Sequence, residues 1–392
     1  MGIEGSLIIQ LQLESGLVKQ ATIRSSRPVH ASKVFHAKSV DQALKILPVL
    51  FSICGSAQAC AGVRACEQAL GIEAPADIEI IRDSLVHMET LREHLWRILL
   101  DWPILINQLP QKNGMVALLK QHKEYQQLIS AGINPFYLQQ ELPVYDTAKL
   151  AGIVNRIKAT FQQLVYGISI KLWLEIDSLE KLQLWAESNT TIAAQLLAWV
   201  IQQQWSETGR CEISSLPVLV TNNLHKLLQN NNFVEQPQWL AECCETTSLS
   251  RIDSPLLQQL NNQFGNGLLV RLVARLTEMA LLTKALLMDG KQAFNKPVQL
   301  FHNSQVFQQG FGDVCAARGH LIHYVCIENK QIKKYQIVAP TEWNFHPQGV
   351  VSRSLTTLKG SRKQIEQQAR LIINAIDPCV GYELSLTELS LT

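Results

Sequence analysis

The sequence is short of charge. Asp, Glu, Lys and Arg make up 17% of its 392 residues, below the roughly 25% of ordinary soluble proteins. The net charge of +2 gives no electrostatic reason to expect binding to nucleic acid or to an acidic surface. A hydrophobic fraction of 47% is ample for a sizeable core, which excludes a disordered or collagen-like chain. At roughly 150 residues per domain, the length suggests two or three domains or one large one.

Long apolar runs are also missing. No stretch reaches the roughly 18 uncharged apolar residues that a membrane-spanning helix needs, and the most apolar window, residues 267–288, contains four charged side chains. The first residues lack the basic start of a signal peptide, and Glu4 and Glu14 flank their apolar positions. We therefore expect a cytoplasmic protein in which thiols stay reduced.

The nine cysteines include no Cys-x-x-Cys pair. This absence gives poor support to zinc ribbons, zinc fingers and iron–sulfur cluster sites. Free cysteine is among the most buried residue types, so Cys66, Cys211, Cys315 and Cys326 are interpreted as packing or neutral surface residues.

Hydrophobic periodicity predicts a helix-rich chain with short β elements near both ends. Residues 3–24 and 320–338 alternate between apolar and polar residues around turn sequences, and each predicts a hairpin. Gly71 is expected to end one helix, and Ser254-Pro255 to begin another. The other predicted helices cover residues 40–51, 76–102, 112–131, 146–176, 179–206, 265–288 and 361–376, with a loop at residues 290–297.

Several motifs are distinctive in combination. In chain order they are Ile3-Glu4-Gly5, Ser52-Ile53-Cys54-Gly55, Ala317-Arg318-Gly319-His320-Leu321-Ile322-His323, Pro340-Thr341-Glu342-Trp343-Asn344 and Asp377-Pro378-Cys379. Together they resemble the large subunit of nickel–iron hydrogenases. That family carries Ile-Glu-Gly, Arg-Ile-Cys-Gly-x-Cys-x-x-x-His, Ala-Pro-Arg-Gly-x-Leu-x-His, Pro-Thr-x-Trp-Asn and Asp-Pro-Cys-x-x-Cys-x-x-His in the same order. The similarity covers about residues 1–102 and 266–382.

The resemblance implies a mainly α (α+β) fold like that of the hydrogenase large subunit, a long helix bundle with small β hairpins near both termini. We expect one domain over residues 1–392. Within it, residues 1–38 would form an N-terminal β region, residues 39–296 a helical bundle, and residues 297–392 an α+β region that carries Arg318 and Cys379.

The chain departs from the family at positions that bind metal. In the family, two cysteines from each end hold nickel and iron. Here Cys54 and Cys379 match the first cysteine of each pair, but Ala57 and Tyr382 replace the second, which bridges the two metals. Ala61 and Ser385 replace the motif histidines. Since a nickel site needs several soft thiolates, we expect no enzyme activity and no nickel.

These departures resemble the HupK/HoxV-type hydrogenase assembly proteins, which are large-subunit-like accessory proteins. The resemblance implies a scaffold that transiently holds an iron fragment with two cyanides and one carbonyl, Fe(CN)2CO, and passes it to a true large subunit. Its partners would be that acceptor and the maturation chaperones that build the fragment. Cys54 and Cys379 are the predicted ligands, with Cys60 as a further candidate.

Four more residues are predicted to contact the iron fragment. Arg318 matches the family arginine beside the diatomic ligands, where a guanidinium offsets charge and donates to cyanide nitrogen. Thr341 and Asn344 lie in the matching Pro-Thr-x-Trp-Asn segment, and Glu4 matches the N-terminal motif.

Three alternatives stay open at the level of the sequence. The cysteines can serve packing alone and Arg318 can form a purely structural ion pair; for Cys60, both packing and a role as iron ligand stay open. The whole chain can act as a metal-free interaction module that binds a hydrogenase subunit or chaperones. The third alternative, an active hydrogenase with substituted ligands, is the one that the sequence favours least.

Overall fold

The computed structural model describes residues 5–139, 141–219, 221–228, 230–286 and 308–389. Its strands are β1 Leu7–Glu14, β2 Leu17–Ser25, β3 Ser214–Ser215, β4 Cys244–Glu245, β5 Gln309–Ala316, β6 Gly319–Glu328, β7 Gln331–Val338 and β8 Tyr382–Glu388. Its helices are α1 Val40–Leu50, α2 Gly55–Leu70, α3 Ala76–Trp96, α4 Trp102–Leu105, α5 Lys112–Ser130, α6 Thr147–Phe161, α7 Ile170–Leu174, α8 Leu179–Ser188, α9 Ile192–Gln202, α10 Thr221–Leu227, α11 Asn231–Glu235, α12 Pro255–Phe264, α13 Leu268–Ala285, α14 Pro340–Asn344, α15 Val350–Leu355 and α16 Arg362–Ile376. Glu4 and the predicted loop 290–297 lie outside the described residues.

The predicted N-terminal hairpin is present as β1 and β2, and it gains a strand from the other end of the chain. Strand β1 pairs antiparallel with β2 and parallel with β8, in the order β2-β1-β8. Leu7 is opposite both Ser25, where β2 ends, and Tyr382, where β8 begins. The residues that follow β2 and the residues that precede β8 therefore lie at the same end of the sheet, on either side of the start of β1.

The second predicted hairpin, β6–β7, is also present, and β5 adds a third strand that the sequence did not predict. Helix α2 lies across β5, and Gly310 and Gly312 permit the contact. A Cβ atom at either glycine would overlap the backbone of α2, at the carbonyl oxygens of Ala65 and Ala61 respectively. The middle of α2 is thereby fixed against the sheet.

The predicted helix ends agree with the local chemistry in most places. Gly71 ends α2 with φ +66°, and the Ser254 side chain caps α12 ahead of Pro255. The long predicted helices 76–102, 146–176 and 179–206 are each divided. π-Helical turns at Arg97–Asp101 and Gln162–Tyr166 interrupt the first two predicted helices. In the third, the side chain of Thr191 caps α9 and so starts a new helix.

Helix α13 passes through the centre of the core. Three of its four charged residues are buried and paired, Arg271 with Glu245, Arg275 with Asp377 and Glu278 with Arg251, whereas Lys284 is exposed. One main hydrophobic cluster includes residues from all three predicted regions. The division at residues 38 and 296 stays a prediction, because residue 296 lies outside the described ranges.

Among the described helices, none is by itself both long and apolar enough to cross a membrane. The segments Val40–Leu50 and Ser52–Leu70 meet the length and composition criteria only as a pair, and a bend of 99° separates them.

Candidate functional site

A small cavity lies between the segment after β2, the residues before α2, the β5–β6 turn, the start of α14 and the segment before β8. Its volume is about 80 Å³, well above the roughly 10–15 Å³ that one ordered water needs. The walls are mostly apolar and come from residues within 27–31, 50–54, 316–321, 337–342 and 379–380, together with Gln58. The cavity therefore collects residues from the N-terminal cysteine motif, the arginine motif, the Pro-Thr motif and the C-terminal cysteine motif.

Cys54 directly precedes α2 and lines the cavity with a half-buried thiol. Its Sγ atom accepts a hydrogen bond from Gln58 Nε2 at 3.5 Å, and Gln58 Oε1 lies 2.9 Å from His323 Nε2. Burial, with the nearby charges of Glu89 and Cys379, raises the pKa of the Cys54 thiol to about 12. The thiol is therefore protonated at neutral pH and has to lose its proton when it binds a metal.

The start of α2, beside Cys54, is held by a buried carboxylate. Glu89 accepts hydrogen bonds from the backbone N–H groups of Ser56 at 2.7 Å and Ala57 at 3.0 Å. These groups have no partner within the helix, and a negative charge is favourable at a helix N-terminus. Glu89 therefore fixes the position of Cys54 through the helix that follows it.

Cys379 lines the same cavity from the opposite end of the chain. Its Sγ atom accepts hydrogen bonds from Arg27 Nη1 at 2.7 Å and from Thr341 Oγ1 at 3.2 Å. Arg27 and Thr341 therefore hold the Cys379 sulfur in place at the cavity wall.

Arg318 lies in the turn between β5 and β6 and is almost fully buried. Its Nη2 atom donates to Glu93 Oε2 at 3.0 Å, and its Nε atom lies 3.4 Å from Asp377 Oδ1. Burial opposes the charge, but Asp377 and Glu93 raise the pKa of Arg318 above its ordinary value. The cavity therefore has a permanent positive charge in its wall.

Asp377 joins this wall to the C-terminal cysteine motif. Besides Arg318, its carboxylate pairs with Arg97 Nε at 2.7 Å and Arg275 Nη2 at 3.5 Å. Burial raises its pKa, but the three arginines outweigh burial and hold the pKa of Asp377 at about 2. Asp377 also ends α16 with a left-handed backbone, φ +70°, and directs the chain toward Cys379.

The two predicted residues of the Pro-Thr motif have different positions. Thr341 lines the cavity and donates to Cys379. Asn344 is fully buried behind it, outside the lining, where its Nδ2 atom donates to the carbonyl oxygens of Thr246 at 2.8 Å and Arg318 at 3.2 Å. Asn344 thus supports the turn that carries Arg318 and does not face the cavity.

The structure does not bring Cys60 to the cavity. Its thiol is fully buried on α2, and it is not part of the lining. Gln58 on α2 lines the cavity, and two residues along a helix of 3.6 residues per turn rotate a side chain by about 200°, so Cys60 leaves α2 on the side opposite to the cavity. Burial raises the pKa of the Cys60 thiol far above its ordinary value. This position supports the packing interpretation of Cys60.

The four positions that depart from the family also lie outside the lining formed by the described residues. Ala57 and Ala61 are fully buried on α2. Tyr382 begins β8 and lines an adjoining groove, which shares Arg318 and Cys379 with the cavity, and Ser385 pairs with Gln10 within the sheet. Glu4 cannot be placed, since it lies outside the described residues.

Two functional candidates, Arg27 and Glu342, were missed by the sequence analysis. Arg27 lies two residues after β2, lines the cavity and binds Cys379, and its Nε atom lies 3.2 Å from Glu342 Oε1. Nothing in the local sequence Ser25-Ser26-Arg27-Pro28 distinguishes Arg27 from an exposed loop arginine. Only the pairing of β1 with both β2 and β8 brings it to Cys379.

The thiols of Cys54 and Cys379, with Arg318 nearby, would suit an iron that carries its own ligands better than a bare metal ion. In the described part of the chain, no group of three or more His, Cys, Asp and Glu side chains is placed to hold a metal ion. Two thiolates would instead leave coordination positions for ligands that the iron carries. Arg318 would add a positive charge beside an anionic, cyanide-bearing fragment.

Comparison with known proteins agrees with this architecture. Residues 247–381 match the model of the nickel-dependent hydrogenase family. The chain is 24% identical to hydrogenase expression/formation protein HupK of Azotobacter vinelandii, across 97% of this chain and 98% of that protein. It is 28% identical to hydrogenase expression/formation protein HoxV of Cupriavidus necator, across 93% of both.

The solved structures confirm the predicted fold class. The nickel–iron–selenium hydrogenase from D. vulgaris Hildenborough superposes with a TM-score of 0.66 at 16% identity, covering 96% of this chain and 98% of that chain. The corresponding enzyme from Desulfomicrobium baculatum gives a TM-score of 0.64 at 17% identity.

Proposed function

We propose that this chain, which has the fold of a nickel–iron–selenium hydrogenase and resembles HupK and HoxV over nearly its whole length, is an accessory protein in hydrogenase maturation. The names of those relatives, hydrogenase expression/formation proteins, support the accessory role. Its partners in that role are hydrogenase-related proteins.

The finer proposal concerns the cargo. The protein transiently holds an iron fragment with two cyanides and one carbonyl between Cys54 and Cys379. It receives the fragment from the chaperones that build it and passes it to a hydrogenase large subunit. Iron is cargo here, and the protein itself catalyses no reaction.

One observation carries this proposal. Cys54 and Cys379, from opposite ends of the chain, line a single cavity that also contains Arg318. The positions where the family has bridging cysteines, Ala57 and Tyr382, contribute no thiol. A site with two thiols can hold a mononuclear iron, whereas a nickel–iron pair needs the bridging thiolates as well.

The smaller number of thiols in this chain than in a hydrogenase large subunit also favours transfer of the iron from this chain to that subunit. Each additional thiolate adds a strong bond to a soft metal. An acceptor that offers four cysteines therefore binds the metal more tightly than a donor that offers two, so release becomes favourable.

A maturation assay tests the proposal. In a strain that lacks this protein, the wild type should restore hydrogen-dependent dye reduction by the hydrogenase that it serves. Cys54→Ser and Cys379→Ser should each leave activity at the level of the deletion strain, because each removes one of two iron ligands.

Cys326→Ser is the matched control, since Cys326 is a half-buried thiol on β6 outside the cavity, and it should mature the hydrogenase normally. Normal maturation with both Cys54→Ser and Cys379→Ser would refute the cargo role. If the variants also still bound the hydrogenase large subunit in pull-downs, the metal-free interaction module would replace it.

A further inference from the structure

Arg27 makes the shortest hydrogen bond to either predicted iron ligand. Its Nη1 atom lies 2.7 Å from Cys379 Sγ, and the Arg27 side chain is only 13% exposed. Its second partner is Glu342, whose carboxylate is 6% exposed and 3.2 Å from Arg27 Nε. The guanidinium is thus shared between a carboxylate and a ligand sulfur, and all three residues line the cavity.

The N-terminal sheet fixes this arrangement. Leu7 N donates to the Gly381 carbonyl at 3.0 Å, and Ser26 N donates to the Ser6 carbonyl at 2.9 Å. The start of β1 is therefore bonded on one side to the segment beyond Cys379 and on the other to the residue before Arg27.

Gly5 allows the approach, which gives part of the Ile3-Glu4-Gly5 motif a structural role. A Cβ atom at Gly5 would lie 2.6 Å from the Ser26 carbonyl oxygen and 2.7 Å from Arg27 Cα. The residue also has φ +73°, a conformation that a residue with a side chain rarely adopts. The backbone of Arg27 is consequently held against the first strand.

From this geometry we infer that Arg27 is a positioning residue for the iron cargo, which acts through the ligand sulfur of Cys379. The inference rests on the proposed function. Arg318 supplies one guanidinium from the β5–β6 turn, and Arg27 supplies a second from the N-terminal sheet. Because Glu342 also pairs with Arg27, it weakens the interaction of the guanidinium with the Cys379 sulfur.

The hydrogen bond has a measurable electronic consequence. A donor to a ligand sulfur withdraws electron density from it, and such bonds tune the metal. Less donation to iron means less back-donation into the antibonding orbitals of cyanide and carbonyl, so their stretching bands lie at higher wavenumbers. Loss of the donor should lower the wavenumbers, and loss of its competitor Glu342 should raise them.

Infrared spectra of variants test the inference. Arg27→Gln, Glu342→Gln and the wild type are each co-expressed with the maturation proteins and purified anaerobically. We expect Arg27→Gln to shift the bands to lower wavenumbers and Glu342→Gln to shift them to higher wavenumbers. After gel filtration, Arg27→Gln should also retain roughly tenfold less cargo, as expected for loss of a charge-assisted hydrogen bond.

Arg24→Gln is the matched control, since Arg24 is exposed on β2 three residues earlier, and its bands should stay at the wild-type positions. A purely structural role for Arg27 would not produce opposite shifts in the two variants, and the Glu342→Gln shift remains informative if Arg27→Gln folds poorly. Unshifted bands in the folded variants would overturn the role of Arg27 and leave the proposed function intact. Absence of bands from the wild type would instead overturn the proposed function.

Discussion

Asp377→Asn is expected to lower the free energy of unfolding by about 3–5 kcal/mol, the cost of removing one partner from a buried ion cluster. Its carboxylate is 1% exposed and pairs with Arg97, Arg275 and Arg318. An amide has the same shape but no charge, so three guanidinium groups lose a common counter-ion. Arg275 is affected most, because its other described hydrogen bonds are to the carbonyl groups of residues 374 and 375.

Chemical denaturation followed by circular dichroism measures this loss. Asp253→Asn is the control, because Asp253 is an exposed aspartate that hydrogen-bonds only Gln258 among the described side chains, and its midpoint should barely change. The Asp377→Asn variant should also bind less cargo, since Asp377 positions both Arg318 and the segment that leads to Cys379. A loss of stability below about 1 kcal/mol in Asp377→Asn would contradict the placement of Asp377 in a buried ion cluster, since exposed ion pairs contribute that little.

Gly312→Ala should lower the free energy of unfolding by about 3 kcal/mol or more, because overpacking against a rigid neighbour forces backbone shifts. A Cβ atom there would overlap the Ala61 carbonyl oxygen of α2. That contact involves backbone, so no side-chain rotation relieves it. Cys54 directly precedes α2, and displacement of the helix should therefore weaken cargo binding as well as stability.

Gly152→Ala provides the contrast within the same chain. Gly152 lies inside α6, and the nearest atom to an added Cβ is Arg156 Nη1 at 4.0 Å. Alanine there should stabilise the protein by about 0.5–1 kcal/mol through helix propensity. Thermal unfolding of the two variants should thus move in opposite directions, and an unchanged melting temperature for Gly312→Ala would disprove the tight contact between β5 and α2.

Local signals in the sequence were sufficient for much of the fold. Alternation predicted the β1–β2 and β6–β7 hairpins, and Gly71 and Ser254 predicted helix ends because turn and cap chemistry acts within a few residues. The motifs predicted which segments meet, and Cys54, Arg318, Thr341 and Cys379 do line one cavity.

The missed elements depend on contacts between distant parts of the chain. Strand β8 pairs with β1 from the other end of the chain. In β5, the glycines weaken the alternation of apolar and polar residues, although they allow the contact with α2. Arg27 belongs to the site only because β1 pairs with β2 on one side and β8 on the other. For Cys60, sequence separation suggested proximity to Cys54, but helical rotation takes it away from the cavity.

Infrared spectroscopy of the wild-type protein tests the central claim most directly. Protein purified anaerobically from cells that express the maturation proteins should show one carbonyl and two cyanide stretching bands. The bands should be absent from Cys379→Ser and present in Cys326→Ser. Bands that persist at full strength in Cys379→Ser, or that are absent from folded wild-type protein able to support maturation, would contradict a cargo site formed by Cys54 and Cys379.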